Sequence, residues 1–83
     1  MFNITWDKKA REQIKKLDIL LAKRIVKKIR LLSVNPFSRN VRRLKNTTDY
    51  KLRVGNYRIL FEVEENKIKI LRLGHRKNIY KIK

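Results

Sequence analysis

The stretch Tyr50 to Val63, YKLRVGNYRILFEV, constrains this chain more than any other. Two runs of alternating side chains flank Gly55-Asn56, and glycine at the first central position of a two-residue loop suits a type II′ hairpin turn. The turn fixes a register: Val54 opposite Tyr57, Arg53 opposite Arg58, Leu52 opposite Ile59, Lys51 opposite Leu60 and Tyr50 opposite Phe61. Because side chains alternate with period two, Leu52, Val54, Tyr57, Ile59, Phe61 and Val63 share one face. That face needs an apolar cover, while Lys51, Arg53 and Arg58 crowd the other. Like charges directly opposite on antiparallel strands are destabilising by roughly 0.2 to 1 kcal/mol. Folding alone does not favour such a face; on the hairpin alone two readings are open, a preformed anion site, above all for phosphate, and a solvated polar face in a chain that is basic throughout.

The rest of the composition agrees with an anionic partner. Over 83 residues there are 24 Lys and Arg against 7 Asp and Glu, a formal net charge of +17. A balance so one-sided points to a polyanion, an acidic protein or an anionic surface. The length allows one small domain, 1–83, with a modest core. The chain contains no cysteine and a single histidine, His75, so no disulfide framework, cysteine-type zinc site or other cofactor is expected. No run approaches the ~20 apolar residues that span a bilayer. Met1 to Trp6 lack the basic start and apolar stretch of a secretory signal, so the expectation is a cytoplasmic protein without membrane contact. Richness in Lys and Ile with one Gln, Gln13, also matches the composition of proteins from heat-loving organisms.

Ahead of the hairpin, Phe2, Ile4 and Trp6 alternate with Asn3 and Thr5, a short strand with one apolar face. Asp7 is placed to cap a helix from Lys8 to about Leu17 carrying Ala10, Ile14 and Leu17 on one side. Asp18 is placed to cap a longer helix, from Ile19 to about Ser33, whose apolar set is Leu21, Ala22, Ile25, Ile29 and Leu32. Asn35-Pro36 closes it, since the residue before proline is pushed out of the helical region. Phe37 to Asp49 reads as a loop anchored by Leu44 and carrying Arg39, Arg42, Arg43 and Lys45.

A second hairpin turns at Glu65-Asn66. It sets Glu64 against Lys67 and Glu62 against Lys69, opposite charges that support the register. Val63 with Ile68 and Phe61 with Ile70 extend the apolar face. Continued, this register puts Leu60 beside Leu71 and Arg58 beside Leu73, and leaves Arg72 on the apolar face, which demands a bulge or a snorkelling side chain. The expected fold is α+β: strand, helix, helix, then a three-stranded antiparallel meander, with both helices on one sheet face.

In such a meander the third strand, Lys67 to Leu73, ends beside the Gly55-Asn56 turn. The segment GHRKNIY, from Gly74 to Tyr80, then emerges next to Arg53 and Arg58, with Gly74 allowing the bend. Arg76 and Tyr80 thereby join Lys51, Arg53 and Arg58, with His75 nearby. A ring beside guanidinium groups suits single-stranded nucleic acid, because a base stacks while cations hold phosphates. Arg42, Arg43, Lys45 and Lys77 are further candidates for holding an RNA backbone. Cleaving RNA with its own 2′-hydroxyl needs a base, cations for the charge on phosphorus, and an acid for the 5′-oxygen. A lysine crowded by other cations gives up its proton more readily, and Lys51 sits two residues from Arg53. Tyr50, Tyr57 and Trp6 are assigned to packing. No paired carboxylates stand ready for an acid-base mechanism.

At these residues the chain resembles the RelE branch of the prokaryotic RelE/ParE toxins. The likeness covers the opening strand, the two basic helices, the Asn-Pro break, YKLRVGNYRILFEV and the closing GHRKNIY. It implies a metal-independent mRNA endonuclease that enters the ribosomal A site and leaves a 2′,3′-cyclic phosphate. It also implies silencing by a cognate acidic, RelB-like antitoxin and contact with operator DNA only through that complex. By position, Lys51 matches the basic residue proposed as general base, and Arg53 stands where a second lysine often sits. Arg58 and Arg76 match transition-state-stabilising arginines, and Tyr80 matches a tail tyrosine that stacks on or orients substrate, at a shorter spacing from Arg76 than in some members. Two other readings compete: a non-catalytic RNA- or ribosome-binding module, and a gyrase inhibitor like those ParE relatives that lack these residues.

Overall fold

The computed structural model describes residues 1–44 and 49–79. The chain opens with strand β1 (Asn3–Trp6), followed by helices α1 (Lys8–Lys15) and α2 (Ile19–Leu31). Both carry the expected caps. The Asp7 carboxylate accepts from the Lys9 amide at 3.1 Å, and that of Asp18 accepts from the amides of Leu20 at 3.1 Å and Leu21 at 3.4 Å. Each satisfies amides that the first helical turn leaves without a carbonyl. After α2, the side-chain oxygen of Asn35 accepts from the Phe37 amide at 3.1 Å, a local turn that redirects the chain around the buried Pro36.

Four more strands follow: β2 (Val41–Arg43), β3 (Asp49–Val54), β4 (Tyr57–Glu64) and β5 (Lys67–His75), then one helical turn, α3 (Arg76–Ile79). Together they form a five-stranded sheet in the order β1-β5-β4-β3-β2. The β3–β4 register is the expected one in every pair, including Arg53 opposite Arg58. Gly55 has a φ of +57° and Asn56 does not share the positive φ, the pattern of a type II′ turn.

Three features differ from the sequence reading. First, the loop Phe37 to Asp49 contains β2, which pairs antiparallel with β3 and sets Arg42 opposite Lys51. Second, β1 lies beside β5 in parallel, Ile4 opposite Ile68 and Trp6 opposite Ile70, so the sheet is mixed. Third, the expected pairs Leu60–Leu71 and Arg58–Leu73 do not form. A bulge between Leu60 and Phe61 gives Leu60 opposite Arg72, Ile59 opposite Leu73 and Arg58 opposite Gly74. One extra residue on β5 restores the alternation: Leu73 turns into the core and Arg72 out of it. Gly74 accordingly lies inside the strand, which runs on to His75, instead of at a bend before it.

The core joins one face of the sheet to the helices. Leu52, Val54, Ile59, Phe61, Ile68, Ile70 and Leu73 pack with Ala10, Ile25, Ile29 and Leu32, all buried. Trp6, Tyr50 and Tyr57 pack against its margin, Tyr50 stacked on Phe61 at 5.7 Å and tilted against Phe37 at 5.4 Å. Among the described residues no polar or charged side chain is buried. The core is therefore apolar throughout, and the charge is displaced to the opposite sheet face and the outer helix surfaces.

Candidate nucleic-acid interface

The site is built on the β3–β4 hairpin, and its best-fixed member is Arg58. One terminal nitrogen, Nη1, donates to the Gly55 carbonyl at 2.9 Å and to the Tyr57 carbonyl at 3.0 Å. The turn thus orients the guanidinium with its own backbone. A guanidinium has five N–H donors; with Nη1 committed to the turn, those on Nη2 and Nε remain to meet a ligand. Arg53 lies directly across the ladder and is exposed. Its amide donates to the Asn40 carbonyl at 3.0 Å, which ties the end of β3 to the chain just before β2.

Two backbone contacts bring distant segments to this turn. The Arg76 amide donates to the Asn56 carbonyl at 2.8 Å, so α3 starts against the hairpin, where the meander geometry put it. The other comes from β2, whose pairing adds Arg42 beside Lys51 on the uncovered face. Through Leu60 the same row continues to Arg72 on β5, the residue for which the sequence demanded a bulge or a snorkelling side chain.

These groups line two clefts. One, of about 460 Å³, is bordered by Arg39, Asn40, Arg42, Lys51, Arg53 and Arg58. The other, of about 450 Å³, lies at the hairpin tip, with Arg53 and Arg58 again and Arg76 in its wall. Arg53 and Arg58 are common to both, so Lys51 and Arg76 flank a shared centre from opposite sides. Among the described residues no carboxylate lines either cleft. On the sheet face the acidic side chains sit at the far end, where Asp49 is opposite Glu62.

Of the candidate residues, Lys51, Arg53, Arg58 and Arg76 are gathered around the hairpin, and Arg42 and Arg43 border the first cleft. Lys77 is exposed on α3 and borders neither. Lys45 and Tyr80 lie outside the described residues. His75 serves the local architecture: its ring meets Tyr57 edge-on at 5.6 Å, and Nδ1 accepts from the Lys77 amide at 3.1 Å. Two cations that the sequence reading did not single out, Arg24 and Lys28, reach the second cleft from α2. The signal for them was their spacing of four on a helix, which stacks both side chains on one face. Among the described residues no group of three His, Cys, Asp or Glu is disposed to hold a metal, and no helix is long and apolar enough to cross a membrane.

A mixed sheet of this topology, helices over one face and a cationic hairpin end on the other, is the fold of the RelE/ParE toxin superfamily. The toxin–antitoxin complex RelBE2 of Mycobacterium tuberculosis superposes with a TM-score of 0.82 at 25% identity, over 90% of this chain and 98% of that one. The archaeal RelE–RelB complex of Pyrococcus horikoshii gives 0.80 at 25% identity, over 90% and 94%. The chromosomal ParDE system of Pseudomonas aeruginosa gives 0.79 at 17% identity, over 90% and 96%, a likeness of fold alone. No curated protein sequence matches at a significant level. The chain belongs to the family described as the ParE toxin of type II toxin–antitoxin systems, whose model matches residues 4–80.

Proposed function

We propose that this toxin is a ribosome-dependent endonuclease that cuts messenger RNA in the A site. The observation that supports this reading best is the pre-set Arg58, anchored by Gly55 and Tyr57 at the junction of two clefts that the described residues line with cations and no carboxylate. In the proposed reaction Lys51 takes the proton of a ribose 2′-hydroxyl. The 2′-oxygen attacks the adjacent phosphorus, and the bond to the 5′-oxygen breaks. Arg58, Arg53 and Arg76 stabilise the additional negative charge of the five-coordinate phosphorus, and donors fixed before the reaction act without reorganisation. A proton returned to the 5′-oxygen, a task for which Tyr80 is the candidate, leaves a 2′,3′-cyclic phosphate and a 5′-hydroxyl. Neither a metal nor a cofactor enters the scheme. Arg42, Arg43, Lys45 and Lys77 hold flanking backbone.

The same positive surface fits a cognate acidic antitoxin, in keeping with the RelB partners in the M. tuberculosis and P. horikoshii complexes. On this reading the toxin meets operator DNA only through that complex, and it works in the cytoplasm. Expression without antitoxin is expected to arrest growth and translation. Arg58→Ala combined with Arg76→Ala should abolish the arrest while the purified variant keeps its thermal transition; undiminished toxicity would refute the site.

The family model raises a second reading, inhibition of gyrase, because it describes ParE toxins. Primer extension on translated message and the integrity of chromosomal DNA separate the two. Truncated message with intact DNA supports the nuclease, and broken DNA with intact message supports the gyrase reading.

A further inference from the structure

The cleft at the hairpin tip is made in part by a helix that the proposed chemistry does not use. Arg24 and Lys28 of α2 border it together with Arg53, Arg58 and Arg76. The guanidinium nitrogens of Arg24 lie 3.8 Å from where a Cβ on Gly55 would stand. Among the described residues, none of Arg24, Lys28, Arg53 and Arg76 has a carboxylate partner. Five cations from four separate elements therefore surround one space, with no described residue of opposite sign in its wall. Their mutual repulsion is a cost that a bound anion removes.

We propose that this cleft is a second phosphate subsite for single-stranded RNA, continuous with the Lys51 cleft, so that one strand lies across the hairpin with phosphates held on both sides of Arg53 and Arg58. The inference rests on reading the hairpin face as an RNA site and adds to it Arg24 and Lys28 as substrate-positioning residues. Continuity follows from the shared wall, since Arg53, Arg58 and Asn40 border both spaces. The character of the ligand follows from what the wall lacks. A docked protein segment takes its affinity from apolar and aromatic anchors set in pockets, and among the described residues the sole apolar side chain here, Val54, is 3% exposed. A nucleic-acid strand takes its affinity from phosphate neutralisation and needs no such anchor.

The test uses the full chain and a 2′-O-methyl RNA hexanucleotide, which cannot be cleaved, with no ribosome present. Binding is followed by fluorescence anisotropy as a function of salt. For single strands the slope of log K against log salt is about −0.7 per neutralised phosphate. Arg24→Gln with Lys28→Gln is expected to make the slope shallower by about 0.7 to 1.4, the loss of one or two phosphates, and to weaken binding about tenfold or more at moderate salt. Lys15→Gln with Lys16→Gln removes the same charge from the exposed end of α1 and is expected to change affinity by less than about twofold. Equal effects of the two pairs would overturn the subsite, as would a cleft pair that leaves the hexanucleotide unaffected while weakening binding of polyglutamate, which assigns the cleft to an acidic protein segment. A wild-type chain that fails to bind the hexanucleotide would overturn the subsite and the RNA site together. Slope loss specific to the cleft pair, in a protein that leaves message intact, would uphold the subsite and refute only the nuclease.

Discussion

Gln13 offers a test of how the fold sets the geometry of the site. On the outer edge of β5, pairing with β1 ends at Trp6–Ile70, and beyond it no strand among the described residues accepts its amides. The Gln13 side-chain oxygen, reaching across from α1, accepts from the Leu73 amide at 2.8 Å in a part-buried position. The contact lies just past the bulge, whose offset puts Gly74 opposite Arg58 and carries Arg76 to the Asn56 carbonyl. Gln13→Met keeps length and helix propensity but removes the acceptor. A buried amide left without a partner costs about 1 to 3 kcal/mol. In a domain this small, each kcal/mol shifts the melting temperature by about 4 to 8 °C, so a mid-range loss of about 2 kcal/mol lowers it by about 8 to 16 °C. Gln13→Glu retains an acceptor and is expected to hold most of the stability. The assay is thermal unfolding followed by circular dichroism, with amide exchange at Leu73 as the local readout. A Met variant as stable as wild type, or a Glu variant as unstable as the Met variant, would refute the assignment of the contact as the lock on this register.

Three further outcomes follow from single contacts. Glu65 holds a φ of +55° in the second turn, where a non-glycine residue is strained by roughly 1 to 2 kcal/mol; part of that is offset by glycine's greater freedom when unfolded. Glu65→Gly should therefore raise stability by about 0.5 to 1 kcal/mol in urea denaturation, and a loss would contradict the strain. Asp18→Ala removes the cap from α2 and should cost about 1 kcal/mol, visible as a lower urea midpoint at unchanged slope. Phe61→Ala empties the largest buried side chain of the sheet and should cost about 3 to 5 kcal/mol, visible as a much lower urea midpoint and as faster cleavage in limited proteolysis.

The features legible in the sequence are those decided by neighbours along the chain. Both hairpins are local, and a period of two means that one correct turn residue settles every pair that follows; hence Arg53 opposite Arg58 and Glu64 opposite Lys67 are as expected. Asp7 and Asp18 act within one turn of their helices and were equally readable. What the sequence did not disclose depends on distant partners. The place of β1 beside β5 has no connecting turn to announce it. β2 is three residues long, with Arg42 and Arg43 exposed, and exists because the edge of β3 offers it hydrogen bonds. The bulge near Arg72 was visible only as a residue facing the wrong way, and its support, Gln13, is 60 positions from Leu73. For the site, the hairpin cations and Arg76 were legible through the meander, whereas Arg24 and Lys28 look like ordinary solvated helix positions until α2 is laid against Gly55.

The most direct test of the proposed activity is the chemistry of the product ends. Purified protein is incubated with ribosomes programmed with a defined message, and the fragments are analysed by mass spectrometry. Cleavage is expected within the A-site codon, with a 2′,3′-cyclic phosphate on the upstream fragment and a 5′-hydroxyl on the downstream one. Arg58→Ala is expected to slow the cut by about 10²- to 10³-fold, the scale for removing one transition-state donor. Intact message from a folded wild-type protein, or cutting at an unchanged rate by Arg58→Ala, would contradict it.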